Sequence, residues 1–315
     1  MKTLRIGTRQ SPLALAQSEW VASQLNERLE GKYTCELVAM TTSGDQLQDR
    51  SLLEAGGKGL FTKELDIALA EGRVDILVHS LKDVPVMLPP GQRIMAYPKR
   101  EDPRDAFVSL KYKSLKELPE GAVLGTSSLR RRAQALAMRP DLKPVEFRGN
   151  VQTRLKKLED GVADGTFLAA AGLNRLGAAQ HICELLDPDE FLPAVGQGIL
   201  GIAALSATID KDVYEALIDL NDMEAERAAV AERAALGKLD GSCRKPIAAH
   251  LFHDGPGRYR LKVSVSHPSG QPNYTAEHRL EGEELFLHDF LELGYQVADM
   301  IRDIAGDQLP HLEVS

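Results

Sequence analysis

Residues 74–80 read VDILVHS, an almost unbroken apolar run too short for a helix and preceded by the charged segment AEGR. A run of this kind suits a strand buried on both faces, as happens where helices cover both sides of a parallel sheet. Its surroundings agree. LRIGT near the start is a short apolar strand. Ser11 and Pro12 then supply an N-cap and a proline at the first helical position, ahead of LALAQSEWVASQLNERL at helical spacing. YTCELVAM reads as a second strand, and GGKGLFTKELDIALAEG as a glycine loop feeding a helix. This alternation predicts an α/β layer with right-handed crossovers.

A chain of 315 residues exceeds one small core, so more than one domain is expected. EDPRDAF at 101–107 has the composition of a connector. Beyond it a second α/β unit opens with GTSSLRRRAQ at 125–134, an echo of GTRQSPLALAQ at 7–17. VEFRGNVQTRLKKLEDG and TFLAAAGLNRLG continue the strand-to-helix steps, and ILGIAALSA reads as a strand returning to the first sheet. From about residue 222 the pattern changes. An alanine-rich helix is followed by RYRLKVSV and YTAEHRL around the turn signals HPSGQPN, an antiparallel hairpin, and then by a long amphipathic helix. The expected division is 1–99 with 199–218, then 103–193, both α/β, and an α+β domain over 222–315.

Several function classes are disfavoured. A net charge of −8 argues against a general nucleic-acid binder, and no apolar run reaches bilayer-spanning length. Three cysteines and a start without a signal-peptide core predict a reducing, cytoplasmic setting. GQGILG at 196–201 has dinucleotide-site spacing but precedes a strand-like run where a helix is required. GGKG at 56–59 lacks the spacing and hydroxyl of a phosphate-binding loop. The eight histidines form no metal-binding cluster, so no metal is expected.

The arginines are more informative. Arg9, Arg130, Arg131, Arg132, Arg148, Arg154 and Arg175 fall at or just after predicted strand-to-helix junctions. In open α/β sheets these junctions gather at the carboxyl ends of the strands, where helix N-termini also favour anions. Ser11, Thr126, Ser127 and Ser128 add hydroxyl donors. The ligand class implied is a small molecule bearing many carboxylates or phosphates. Asp83 stands where VDILVHS runs out. It either holds arginines in place or supplies one negative group able to stabilise a developing cation. Lys82 points away from it if the strand continues, and beside it if the chain already turns. Cys35 and Cys183 lie among apolar residues and read as core. Cys243, in DGSCRKP, is set among small residues and cations that favour a thiolate.

These segments together resemble the porphobilinogen deaminase (hydroxymethylbilane synthase) family over essentially the whole chain. The matching blocks are IGTRQSPLALAQ, GGKGLFTKEL, DILVHSLKDVP, EDPRDAF, GTSSLRRRAQ, FRGNVQTRL, AGLNRLG, LPAVGQG and the DGSC loop. The resemblance implies two periplasmic-binding-protein-like domains with a cleft between them and a small α+β domain carrying the cysteine. It implies a transferase of haem biosynthesis that joins four porphobilinogen molecules head to tail with loss of ammonia and releases hydroxymethylbilane with water. It further implies a dipyrromethane cofactor held by a thioether at Cys243, no nucleic-acid or membrane partner, and a monomer.

By the same resemblance, Asp83 contacts the pyrrole nitrogens and stabilises the azafulvenium cation left when the amine departs. Arg9, Ser11, Lys82, Thr126, Ser128, Arg130, Arg131, Arg148, Arg154 and Arg175 hold cofactor or substrate carboxylates, Lys58 lies in a loop covering the site, and Gln197 belongs to a hinge-side turn. Ser242, Arg244 and Glu54 depart from the family pattern. Two other readings stay open on the residues alone. One is a non-catalytic anion-binding or sensor protein, which needs neither Asp83 nor Cys243. The other is a cysteine hydrolase, which lacks a motif for its base.

Overall fold

The computed structural model describes residues 1–46, 59–239 and 245–312. It separates into two compact units, Met1–Glu101 with Gly198–Glu226 and Asp102–Gln197 with Arg227–Ser315.

The first unit begins with β1 (Lys2–Arg9), α1 (Pro12–Arg28), β2 (Tyr33–Met40), the short α2 (Ser43–Gln46), α3 (Lys63–Ala70), β3 (Ile76–Ser80) and β4 (Gln92–Ala96). Ser11 caps α1 as expected, its hydroxyl accepting from the Ala14 N–H at 3.3 Å. β1 pairs in parallel with β2 from Lys2–Tyr33 to Arg9–Met40, and with β3 through Ile6–Ile76. The side chains of β3 explain its apolar run. Ile76 and Val78 pack with Leu4, Val21 and Leu25 on one face, and Leu77 packs with Leu65 and Leu69 on the other.

The second unit holds β5 (Asp105–Val108), β6 (Val123–Gly125), α4 (Leu129–Met138), β7 (Lys143–Val145), α5 (Val151–Glu159), β8 (Gly165–Ala169), α6 (Ala170–Arg175) and β9 (Glu184–Leu185). The chain then returns to the first unit as β10 (Leu200–Leu205), as the sequence predicts, and continues into α7 (Lys211–Leu220). Among the described residues each unit has a five-stranded sheet, in the orders β2-β1-β3-β10-β4 and β7-β6-β8-β5-β9. The two plans are the same. Three parallel strands are followed by one antiparallel strand, β10 or β5, which also pairs antiparallel with the outer strand. In both sheets the reversed strand is the one that follows the chain's passage from the other unit. The echo between GTRQSP and GTSSLR therefore marks equivalent β-to-α junctions.

EDPRDAF is only partly a connector. Asp105, Ala106 and Phe107 form most of β5, fully buried between β8 and β9. A four-residue strand opening on a charged side chain leaves no alternation to read.

The second unit resumes at Arg227 within α8 (Met223–Lys238) and continues as β11 (Ile247–His253), β12 (Arg258–Ser266), β13 (Asn273–Glu281) and α9 (Leu287–Ala305). The strands form an antiparallel sheet in sequential order, with β12 and β13 paired as the hairpin reading requires. The hairpin turn lies against α4, since a Cβ on Gly270 would come within 2.7 Å of the Ala137 nitrogen. Asp189 ties the same layers from another side through Arg260 at 2.8 Å.

Cys35 packs half-buried against the first core, where burial pushes its thiol up to about 11. Cys183 is exposed, contrary to its reading as core, because it precedes the outer strand β9 and not an interior one.

Candidate active site

In the first unit the site is built at the end of β1 and beyond β3. The strand does not continue through Lys82. Leu81–Asp83 form one 3-10 turn, anchored by buried Leu81, whose N–H donates to the Ile199 carbonyl at 2.9 Å, and followed by buried Val84. The turn leaves Lys82 and Asp83 both exposed, the second of the two arrangements the sequence allows. Arg9 Nη1 lies 3.9 Å from Asp83 Oδ2. The same guanidinium is bonded to Asp45, with Nε 3.3 Å from Oδ2, and stacks over the Phe61 ring at 4.4 Å.

Burial raises the Asp45 carboxyl, but hydrogen bonds from Arg9 and Thr42 outweigh it and hold the group below its ordinary range. Asp45 is thus the carboxylate that holds Arg9, which leaves Asp83 the more weakly engaged partner. Neither Asp45 nor Phe61 carried a motif signal. His79, on the last turn of strand before this site, is buried, and burial with the nearby Arg9 holds it down at about 4, so it is neutral at pH 7.

In the second unit, the arginines on α4 and α5 divide into two kinds. Arg130 and Arg131 are 7% exposed and converge on the fully buried Asp105, at 2.7 Å to Oδ2 and 2.6 Å to Oδ1. Arg130 also donates to the Leu192 carbonyl at 2.6 Å and Arg131 to the Phe167 carbonyl at 2.9 Å. Burial alone would raise the Asp105 carboxyl, and the two guanidiniums hold it well below the carboxylate range. Gln197, 1% exposed, donates its amide to the Pro103 carbonyl at 2.8 Å and to Asp105 at 3.1 Å.

Arg154 is the other kind. It sits in the first turn of α5, and its Nε donates to the Gly149 carbonyl at 3.0 Å. Burial, then Arg131 and Arg148, push its guanidinium down to about 10. Among the described residues no carboxylate pairs with it. A half-buried cation beside two like charges is costly unless an anion completes the set. Arg148 contacts the exposed Glu146 at 3.3 Å. Arg175 ends the six-residue α6, so it lies at the helix's carboxyl end and not at a strand-to-helix junction.

The hydroxyls beside these arginines are used as acceptors. Thr126 Oγ1 accepts from the Ser128 N–H at 3.3 Å, Ser127 Oγ from the Phe147 N–H at 2.9 Å, and Ser128 Oγ from the Arg131 N–H at 3.4 Å. Their own protons stay available for an anion. Lys58 and Cys243 lie outside the described residues, as do Glu54, Ser242 and Arg244. Among the described residues no group of three or more His, Cys, Asp or Glu side chains could hold a metal ion. No described helix is long and apolar enough to cross a membrane.

Residues 4–213 match a family model described as porphobilinogen deaminase, dipyromethane cofactor binding domain. A porphobilinogen deaminase of Paracoccus denitrificans is 49% identical over 279 residues, covering 87% of each chain. One of Alkaliphilus metalliredigens is 43% identical over 301 residues, covering 96% of this chain and 92% of that one. Among solved structures, a periplasmic substrate-binding protein of an ABC transporter from Coxiella burnetii is similar at TM-score 0.44 and 16% identity, over 73% of this chain and 96% of that one.

Proposed function

The chain belongs to the porphobilinogen deaminase family, and from that premise we propose how its own residues divide the work. The activity is that of a transferase acting on porphobilinogen, which the family condenses head to tail, four molecules per hydroxymethylbilane, with loss of ammonia. Its cofactor is dipyrromethane. When bound, that group supplies the pyrrole carbon on which the chain is extended. We assign its attachment to Cys243, which the neighbouring Arg244 and Lys245 favour as a thiolate.

The observation that carries the reading is Arg154, a half-buried guanidinium depressed by desolvation and then by Arg131 and Arg148, with which no carboxylate of the described residues pairs. Each pyrrole of the growing chain bears an acetate and a propionate, so a site short of anions suits it. Arg148, Arg154 and Arg175 are assigned to these carboxylates, with Thr126 and Ser128 donating their uncommitted protons. Arg130 and Arg131 serve the same site from behind, as a positive pair fixed on Asp105 with Gln197. On the other unit Arg9, Ser11 and Lys82 bind carboxylate and Asp83 stabilises the positive charge that grows on the substrate pyrrole as the amine leaves. His79, being neutral, adds no charge beside Arg9. Lys58 is assigned to a segment that covers the site.

We further propose the division 1–99 with 199–218, 103–193 and 222–315 as three domains, and a monomer acting in the cytoplasm without nucleic-acid or membrane partners. A non-catalytic anion binder would use the arginines but leave Asp83 without a task.

The test combines turnover and stability. The purified chain should consume porphobilinogen and release ammonia and hydroxymethylbilane. Arg154→Gln should lower turnover by about 100-fold while leaving the melting temperature within about 2 °C, because it removes a cation with which no carboxylate of the described residues pairs. Wild-type turnover in that variant would remove Arg154 from the site.

A further inference from the structure

The fully buried carboxylate of Glu232 lies outside every motif and every assigned role. It projects from α8, and its two oxygens serve two different segments. Oε2 accepts from the Gly196 N–H at 2.7 Å, and Oε1 accepts from the Leu251 N–H at 3.1 Å. His250 Nδ1 lies 3.6 Å from Oε1. A carboxyl group is costly to bury without hydrogen bonds, and both oxygens here accept one.

The position of those two N–H groups gives the contacts a meaning beyond stability. Gly196 has φ +70° and opens the turn that seats Gln197, whose amide holds Asp105 and with it the Arg130 and Arg131 pair. The preceding residues are stitched to the same layers. Leu192 exchanges bonds with Gln134 on α4 at 2.7 and 2.9 Å, and the Pro193 carbonyl accepts from Ala249 of β11 at 3.3 Å. On the other side, α8 ends at Lys238 and β11 begins at Ile247. Cys243 falls between these two elements, so Glu232 and Leu251 belong to the two stems that bracket it in the chain.

We infer that Glu232 is a positioning residue. It ties α8 and β11, the described elements between which Cys243 falls in the sequence, to the Gly196–Gln197 turn, and through Gln197 and Asp105 to the arginines of α4 proposed to serve the growing chain. The inference rests on the tether at Cys243 proposed above.

Glu232→Gln keeps the side chain's size and one carbonyl acceptor but turns an NH2 toward an N–H donor. In the cofactor-loaded enzyme it should lower kcat by about tenfold or more, with KM for porphobilinogen within about twofold, since the residues proposed to bind free substrate are untouched. Gln197→Ala cuts the same path beyond the turn and should show the same split. If both act through one link, the double variant should be no slower than the slower single variant. Losses that multiply in the double variant, or wild-type kcat in loaded Glu232→Gln, would overturn the inference. If Glu232→Gln yields no folded protein, Gln197→Ala decides alone, its selective kcat loss supporting the link and wild-type kcat removing it. Intact-protein mass separates this from the premise. A wild-type chain lacking the two-pyrrole excess overturns the tether and this inference together, whereas a loaded variant with wild-type kcat overturns the inference alone.

Discussion

Asp105→Asn is expected to cost about 3–5 kcal/mol of folding free energy, a large part of the roughly 5–15 kcal/mol that holds a domain. The reason is the geometry of charge in the second unit. Arg130 and Arg131 are both buried, and among the described residues Asp105 is the carboxylate that both contact. An amide fits the space but cannot neutralise two guanidiniums, so the variant leaves buried charge uncompensated. The loss should appear as a fall in the denaturant midpoint, and a change below about 1 kcal/mol would mean that water or ligand, and not Asp105, balances the pair. The pH dependence has a defined sign. The folded carboxyl is held below its ordinary range, so its contribution is complete above about pH 4, the ordinary value, and is lost as pH falls through the folded value.

Asp83→Asn is expected to do the opposite: little to the fold and much to turnover. Asp83 is about one-third exposed and 3.9 Å from Arg9, which keeps Asp45 when Asp83 is neutralised. Exposed pairs of this kind contribute about 0–1 kcal/mol, so the melting temperature should barely move. Removing the charge assigned to the developing cation should lower kcat by about 10² to 10³. A variant within a few-fold of wild-type turnover would contradict the role assigned to Asp83.

These two aspartates also mark what the sequence makes legible. Asp83 stands at the end of an apolar strand whose burial on both faces follows from its composition, so its placement could be read from residues 74–80. Ser11 was equally readable, because an N-cap ahead of a proline announces a helix locally, and it accepts the expected backbone N–H; Ser128 and Asn150 cap α4 and α5 in the same way. Asp105 was not. A short strand between two others is specified by its neighbours in space, and DAF taken alone resembles a connector. The arginines show the same limit. Position near strand-to-helix junctions identified them as a group, but it could not show that a carboxylate from a distant segment reaches Arg131 and that none of the described residues supplies one to Arg154. Glu232 had no signal at all, since Gly196 and Leu251, whose N–H groups it accepts, lie 36 and 19 residues away. Cys183 shows the converse error, an apolar stretch set beside an outer strand and open to solvent.

The central claim is that a polyanionic pyrrole chain grows from one sulfur and that Arg154, with which no carboxylate of the described residues pairs, binds part of it. Intact-protein mass of freshly purified, active material tests it most directly. The account predicts a mass above that of the 315-residue sequence by two linked pyrrole units, absent in Cys243→Ser. Active wild-type protein at the bare sequence mass would contradict it.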